Sequence, residues 1–126
     1  MQVNLTANWR LIRALDPLLR LSDSGRALFV SSAVAQGARP FWGAYAISKA
    51  ALEAMVRTYA AELAGTTMRA NLLNPGPTRT DMRAQAMPAE DPMSLPAPEE
   101  LTPLIVELLS PDCTDNGELF TYKRLS

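Results

Sequence analysis

The chain has 126 residues, 48% of them hydrophobic and 20% charged, the mixture of an ordinary globular domain rather than of a disordered segment. That length suits one domain able to bury roughly two thirds of its unfolded surface. Its 12 basic and 13 acidic side chains are scattered singly and leave a net charge of −1, so there is no basic stripe to hold a nucleic acid or an anionic membrane.

The opening stretch "VNLTANWRLIRALDPLLRL" spaces Leu5, Trp9, Ile12, Leu15 and Leu18 at helical intervals and predicts a long amphipathic helix over residues 4–20. Pro17 is expected to kink or end it, and Gly25 after "SDS" suits a post-helical turn. "RALFVSS" has the length and apolarity of a buried strand in a parallel sheet. "AVAQGARPFWG" reads as loop. Residues 44–64, "AYAISKAALEAMVRTYAAELA", are rich in Ala, Leu, Met and Glu and predict the best helix of the chain, stopped by Gly65. "MRANLLN" predicts a second strand ended by "PGPT". Residues 79–98 are rich in Pro and Met and read as a mobile insertion or lid. "PEELTPLIVELLS" predicts a third helix with Pro98 at its start and an acidic first turn, and "GELFTY" a last short strand.

The alternation of helix and strand predicts an α/β fold, a parallel sheet with helices on both faces in three α/β/α layers. Only three strands are expected, too few for a comfortable doubly wound sheet, so the first strand should show an exposed apolar edge. No apolar run is long enough to span a bilayer and no signal peptide is recognisable, which leads to the expectation of a cytoplasmic protein without a membrane partner.

The chemistry is narrowed by what the chain lacks. With no histidine, a Ser-His-Asp triad, a Cys-His dyad and most zinc sites are excluded. The single cysteine, Cys113, can form no internal disulfide, and "SPDCTDNG" reads as a turn bearing a surface or half-buried thiol. Acid–base work falls to Tyr, Lys, Asp or Glu. Tyr45 and Lys49 stand at i and i+4, on one face of the central helix near its start. A lysine charge beside a phenol favours the phenolate, which suits a general acid/base near neutral pH. Three tyrosines and two lysines in this length give such a pair about 0.05 times by chance, so the spacing alone only marks a candidate. A solvated lysine beside a half-buried tyrosine is the bland alternative. In a parallel α/β sheet function gathers at the carboxyl ends of the strands, where Ser31, Ser32 and the "NPGPTRT" turn also fall.

The segment "SSAVAQGARPFWGAYAISKAALEAMVRTYAAELA" resembles the active-site region of the short-chain dehydrogenase/reductase family. Ser32 lies thirteen residues before Tyr45 of the Tyr-x-x-x-Lys motif, as in that family, and Ser31 is left to the strand end. "LLNPGPTRTDM" matches the family's turn with Pro75, Gly76 and Thr80, and Asn4 in "VNL" matches its upstream asparagine. The "FWGAY" and "NPGPTRT" stretches, with the acidic Pro/Met-rich segment behind them, are similar to a bacterial branch of the family, the YciK type.

The resemblance implies the carboxyl-terminal half of a Rossmann-like fold, residues 1–126 forming a single partial domain. It implies an oxidoreductase using NAD or NADP on a small carbonyl or alcohol substrate. Tyr45 would be the acid/base, Ser32 would polarise the substrate oxygen, and Lys49 would support Tyr45 and hold the nicotinamide ribose. Asn4 would secure a water for proton relay, although a helix N-cap fits it too. Pro75, Gly76, Thr78 and Thr80 would lie against the nicotinamide, although capping the next segment suits both threonines equally. A homo-oligomer through the helices at 4–20 and 44–64 is implied as well, with Trp9, Ile12, Met55 and Tyr59 as candidates for the contact, although core packing is the expected fate of at least half of them.

One departure from the family is large. The glycines are Gly25, Gly37, Gly43, Gly65, Gly76 and Gly117, and no three form a glycine-rich phosphate-binding turn. The nucleotide-phosphate half is therefore expected to be missing, Met1 to fall within a helix of the full domain, and the chain to be a truncated or internally started product. It should bind the cofactor weakly and be inactive by itself. The alternative is a non-catalytic fragment serving as an interaction piece.

Overall fold

A computed structural model describes residues 5–32, 43–76, 89 and 97–122. Helix α1 (Ala7–Arg20) leads to strand β1 (Arg26–Val30), helix α2 (Gly43–Glu62) and strand β2 (Arg69–Asn74). A 3-10 turn, Pro98–Leu101, then enters helix α3 (Thr102–Leu108), and strand β3 (Leu119–Thr121) follows. The three strands form one parallel sheet in the order β1-β2-β3. Val30 pairs with Leu73 and Asn74 with Thr121, so the carboxyl ends of all three strands share one rim.

The core follows from periodicity. Leu52, Val56, Tyr59 and Ala60 recur along one stripe of α2, and with Leu63 just past its end they bury themselves against Ala70 and Leu72 of β2 and Met68 before it. Ile12 and Leu19 of α1 pack onto this cluster from one side, Ala27 and Phe29 of β1 from another. Side chains alternate faces along a strand, so Leu73 points away from Leu72. It is buried outside that cluster, as are Leu101 and Leu108 of the third helical segment. Helices thus cover both faces, the expected three-layer arrangement.

β1 ends two residues earlier than expected, although the Ser31 N–H still donates to the Leu73 carbonyl at 2.7 Å. No residue of β1 is fully buried, and Val30 is 51% exposed. Among the described residues β1 is an edge strand, which accounts for that exposure.

Three local expectations are corrected. Of the two effects expected of Pro17 the ending is ruled out, since α1 runs on to Arg20; its missing N–H costs a single ladder bond. Gly25 is not in a left-handed turn. It is buried, and a Cβ there would stand 2.7 Å from the Leu19 carbonyl oxygen and 3.1 Å from Met68 Cγ, so close approach demands glycine. The third helix is split, because Pro103 has no N–H to carry an α-helical bond back to Glu99 and the chain enters through a tighter 3-10 turn. Gly65, at φ 85, does end the turn after α2.

The loop before β3 is bound by side chains. Asn71 donates from Nδ2 to the Asp115 carbonyl at 2.9 Å, and its Oδ1 accepts from the Glu118 N–H at 3.0 Å. Arg26 donates to the carbonyls of Cys113, Pro111 and Thr67 within 3.1 Å, which joins the amino ends of the sheet to the same loop. Cys113 is free and half-buried.

Candidate active site

The packing stripe of α2 changes character along its length. Toward its carboxyl end it is apolar, but toward its start it carries Ser48, Lys49 and Glu53, all buried. Lys49 and Glu53 face the rim where the strands end. Lysine and glutamate are rarely buried without partners, and here each has one at the end of β1.

Lys49, 9% exposed, donates from Nζ to the Val30 carbonyl oxygen at 3.0 Å. Burial holds its amine below the usual lysine value of 10.5. The same Nζ stands over the Tyr45 ring, 5.7 Å from its centroid. One ammonium therefore links the helix start to the strand end, and it meets the tyrosine at the ring face, a cation–π placement. Tyr45 is 40% exposed, open to an incoming ligand. Its backbone carbonyl accepts from the Ser48 hydroxyl at 2.8 Å, which satisfies the buried serine locally.

Ser31, left to the strand end by sequence reasoning, is buried, and its hydroxyl donates to Glu53 Oε2. Glu53, one turn beyond Lys49, also meets Arg57 Nη2 through Oε1 at 3.3 Å. Neither Ser31 nor Glu53 was expected in the site. The i, i+4, i+8 series Lys49, Glu53, Arg57 was a signal, but it reads equally as a solvated face. Ser32 follows Ser31 and is half-buried.

Beside β1, the end of β2 is shaped by Asn74, whose Oδ1 accepts from the Gly76 N–H at 3.0 Å. Pro75 and Gly76 leave the sheet there, half-buried, and the Tyr122 N–H donates to the Asn74 carbonyl at 3.0 Å beyond β3. Tyr45 and Lys49 are thus brought together, Lys49 is fastened next to the Ser31–Ser32 step, and Pro75–Gly76 end the neighbouring strand. Asn4, Thr78 and Thr80 lie outside the described residues, as does nearly all of the 79–98 segment.

Two further arrangements lie away from this rim. Between α1 and α2, the Tyr59 hydroxyl donates to Asp16 Oδ1 at 2.6 Å and Arg20 Nε to Asp16 Oδ2 at 2.8 Å. The Tyr59 hydrogen bond, with help from Arg20, holds the Asp16 carboxyl below its ordinary value of 3.8, and burial drives the Tyr59 phenol far up. Beside this pair a groove of about 460 Å³ opens along both helices, lined by Trp9, Arg13, Met55 and Glu62 among others. Among the described residues no three His, Cys, Asp or Glu are grouped to hold a metal, and no helix is long and apolar enough to cross a membrane.

Comparison with known proteins matches the chain to a family. A family model described as enoyl-(acyl carrier protein) reductase matches residues 1–111. The uncharacterized oxidoreductase YciK of Escherichia coli K12 is 47% identical over 112 residues, covering 89% of this chain and 44% of that protein. A short chain dehydrogenase structure from Salmonella enterica serovar Typhi CT18 superposes with a TM-score of 0.91 at 45% identity, covering 95% of this chain and 50% of that one. A structure from E. coli CFT073 complexed with NADPH gives a TM-score of 0.89 at 44% identity, with the same two coverages, 95% and 50%. The chain spans about half the length of the relatives it matches.

Proposed function

Because the chain belongs to the short-chain dehydrogenase/reductase family, in the branch of YciK, we propose that it carries the catalytic half of an NAD(P)-dependent oxidoreductase acting on a carbonyl or alcohol. The observation that carries this reading is Lys49: a buried ammonium tied to the Val30 carbonyl at a strand end, with the accessible ring of Tyr45 5.7 Å away. A globular core gains nothing from burying a lone ammonium, whereas a site that handles a phenol and a polar ligand does.

The residues at the rim suit a nicotinamide nucleoside. Lys49 offers a positive donor to ribose hydroxyls, and the turn Asn74–Pro75–Gly76 presents backbone beside it. The nicotinamide, when bound, supplies or accepts the hydride. Tyr45 gives a proton from its hydroxyl to the substrate oxygen in reduction and takes it back in oxidation. The Ser32 hydroxyl donates to that same oxygen and orients it. Lys49 keeps positive charge at the phenol, and Asn4, Thr78 and Thr80 keep the roles that the family pattern gives them.

No glycine-rich turn occurs in these 126 residues, so the pyrophosphate has none of the backbone donors it ordinarily uses. By themselves they bind NADPH weakly or not at all and turn over nothing measurable. A homo-oligomer is part of the proposal, and the groove along α1 and α2, with Trp9 51% exposed at its edge, supports it only by lying on the two helices concerned.

The test is carbonyl-dependent NADPH oxidation over a panel of aldehydes and ketones. The chain is assayed alone and mixed with the amino-terminal half of the E. coli relative. Turnover in the mixture supports the proposal. A mixture that co-purifies yet oxidises NADPH with no substrate of the panel overturns it in favour of an interaction piece.

A further inference from the structure

The carboxylate of Glu53 has no part in the chemistry above, yet it is only 4% exposed and sits on the packing stripe of α2, one turn past Lys49. A leucine there would continue the apolar stripe without desolvating a charge. What Glu53 has in exchange is one specific contact across 22 residues of sequence: the buried Ser31 hydroxyl donates to its Oε2. Its other oxygen meets Arg57, a half-exposed guanidinium that connects the buried charge with solvent.

Ser31 needs no carboxylate to complete the sheet, because its N–H already donates to the Leu73 carbonyl at 2.7 Å. The contact with Glu53 does something different. Lys49 holds the carbonyl of residue 30, and Glu53 holds the side chain of residue 31. Two successive residues at the end of β1 are thereby fastened to two successive turns of α2, immediately before Ser32.

Resting on the reading of Tyr45 and Ser32 given above, we propose that Glu53 is a positioning residue: through the Ser31 hydroxyl it sets the end of β1, and so Ser32, against the turn of α2 that bears Tyr45 and Lys49. The contact acts on Ser32 placement more than on fold stability, and it works as a pair. Removing either partner has the same effect as removing both.

The proposal is tested on the ¹⁵N-labelled chain with Glu53→Ala, Glu53→Gln, Ser31→Ala and the double variant Ser31→Ala/Glu53→Ala. Expected are a displaced Ser32 amide resonance in both alanine variants and a displaced Ser31 amide in Glu53→Ala. Hydrogen exchange at the Ser31 amide is expected to quicken about tenfold, while Ala70 and Leu72 keep their wild-type protection. The double variant should match the singles. Glu53→Gln, which still accepts from the hydroxyl, should restore the wild-type signals. In the complemented enzyme Glu53→Ala should lower kcat about tenfold with NADPH affinity kept within about twofold, and Gln should recover it.

An unmoved Ser32 amide in the two alanine variants, or an unmoved Ser31 amide in Glu53→Ala, would overturn the proposal. Equal loss of protection at Ala70 and Leu72, which marks plain destabilisation, would do so too, as would additive effects in the double variant. If Glu53→Ala does not fold, Ser31→Ala, which removes one hydroxyl only, and Glu53→Gln carry the comparison. The two readings fail separately: full activity in Tyr45→Phe defeats the catalytic assignment and leaves the amide result standing, whereas inactive Tyr45→Phe beside fully active Glu53→Ala defeats the positioning role alone.

Discussion

Asn116 ties three elements together with one amide, and its removal has a cost that can be worked out. Its Oδ1 accepts from the Ala70 N–H at 2.9 Å, and its Nδ2 donates to the Ala60 carbonyl at 2.8 Å. Ala60 lies in the last turn of α2 and Ala70 in β2, while the Gly117 N–H returns to the Ala70 carbonyl at 2.7 Å. Ala70 is fully buried, so Asn116→Ala leaves a donor that water does not easily reach. A stranded buried donor costs about 1–3 kcal/mol and the second bond about 1 kcal/mol, which together make roughly 2–4 kcal/mol. Against a usual total of about 5–15 kcal/mol that is a large fraction, and it corresponds to a fall in Tm on the order of 10 °C. Asn116→Asp keeps the acceptor for Ala70 but sets an anionic oxygen against the Ala60 carbonyl, so it should rescue little. Urea denaturation followed by circular dichroism measures both variants. An Asn116→Ala chain within about 0.5 kcal/mol of wild type would refute the reasoning, since that is what a surface substitution costs.

Four further outcomes rest on the packing. Tyr59→Phe should cost about 1 kcal/mol at neutral pH, measured by urea denaturation, because it removes the hydrogen bond to Asp16. Asp16 titrates below 3.8 in the folded chain, so its contribution is complete above that value and is lost as pH falls beneath it; Asp16→Asn should flatten this acid limb below about pH 4. Gly25→Ala forces a Cβ against the Leu19 carbonyl oxygen, a backbone atom that cannot swing away, and should lower stability by about 1–3 kcal/mol in a thermal melt. For Lys49, whose amine burial holds below 10.5, the unfolded chain binds more protons than the folded one as pH rises toward that value. Wild-type stability should therefore gain relative to Lys49→Met between neutral pH and 10.5, and parallel pH profiles of the two would contradict the burial argument.

The parts of this fold governed by local periodicity could be read from the chain. The 20-residue α2, the pairing of Tyr45 with Lys49 on one of its faces and the apolar run of β2 all follow from spacing. The meeting of strand ends at one rim follows from a parallel sheet. What escaped was set by contacts between distant residues. Glutamate is a good helix former that usually faces water, so nothing in "KAALEAM" distinguishes Glu53 until β1 places Ser31 against it. Asp16 and Tyr59 are 43 residues apart and belong to different helices. The seam before α3 was visible in "ELTP", yet the strong apolar pattern of the segment hides the missing N–H of Pro103.

The central claim is that Tyr45 moves the substrate proton in a site assembled by α2 and the ends of β1 and β2. It is tested most directly by single-turnover NADPH oxidation in the complemented enzyme, with wild type compared with Tyr45→Phe at equal cofactor saturation. Loss of a positioned general acid predicts a rate lower by about 10²–10⁴-fold with NADPH affinity unchanged. A phenylalanine variant that oxidises NADPH at the wild-type rate would contradict it.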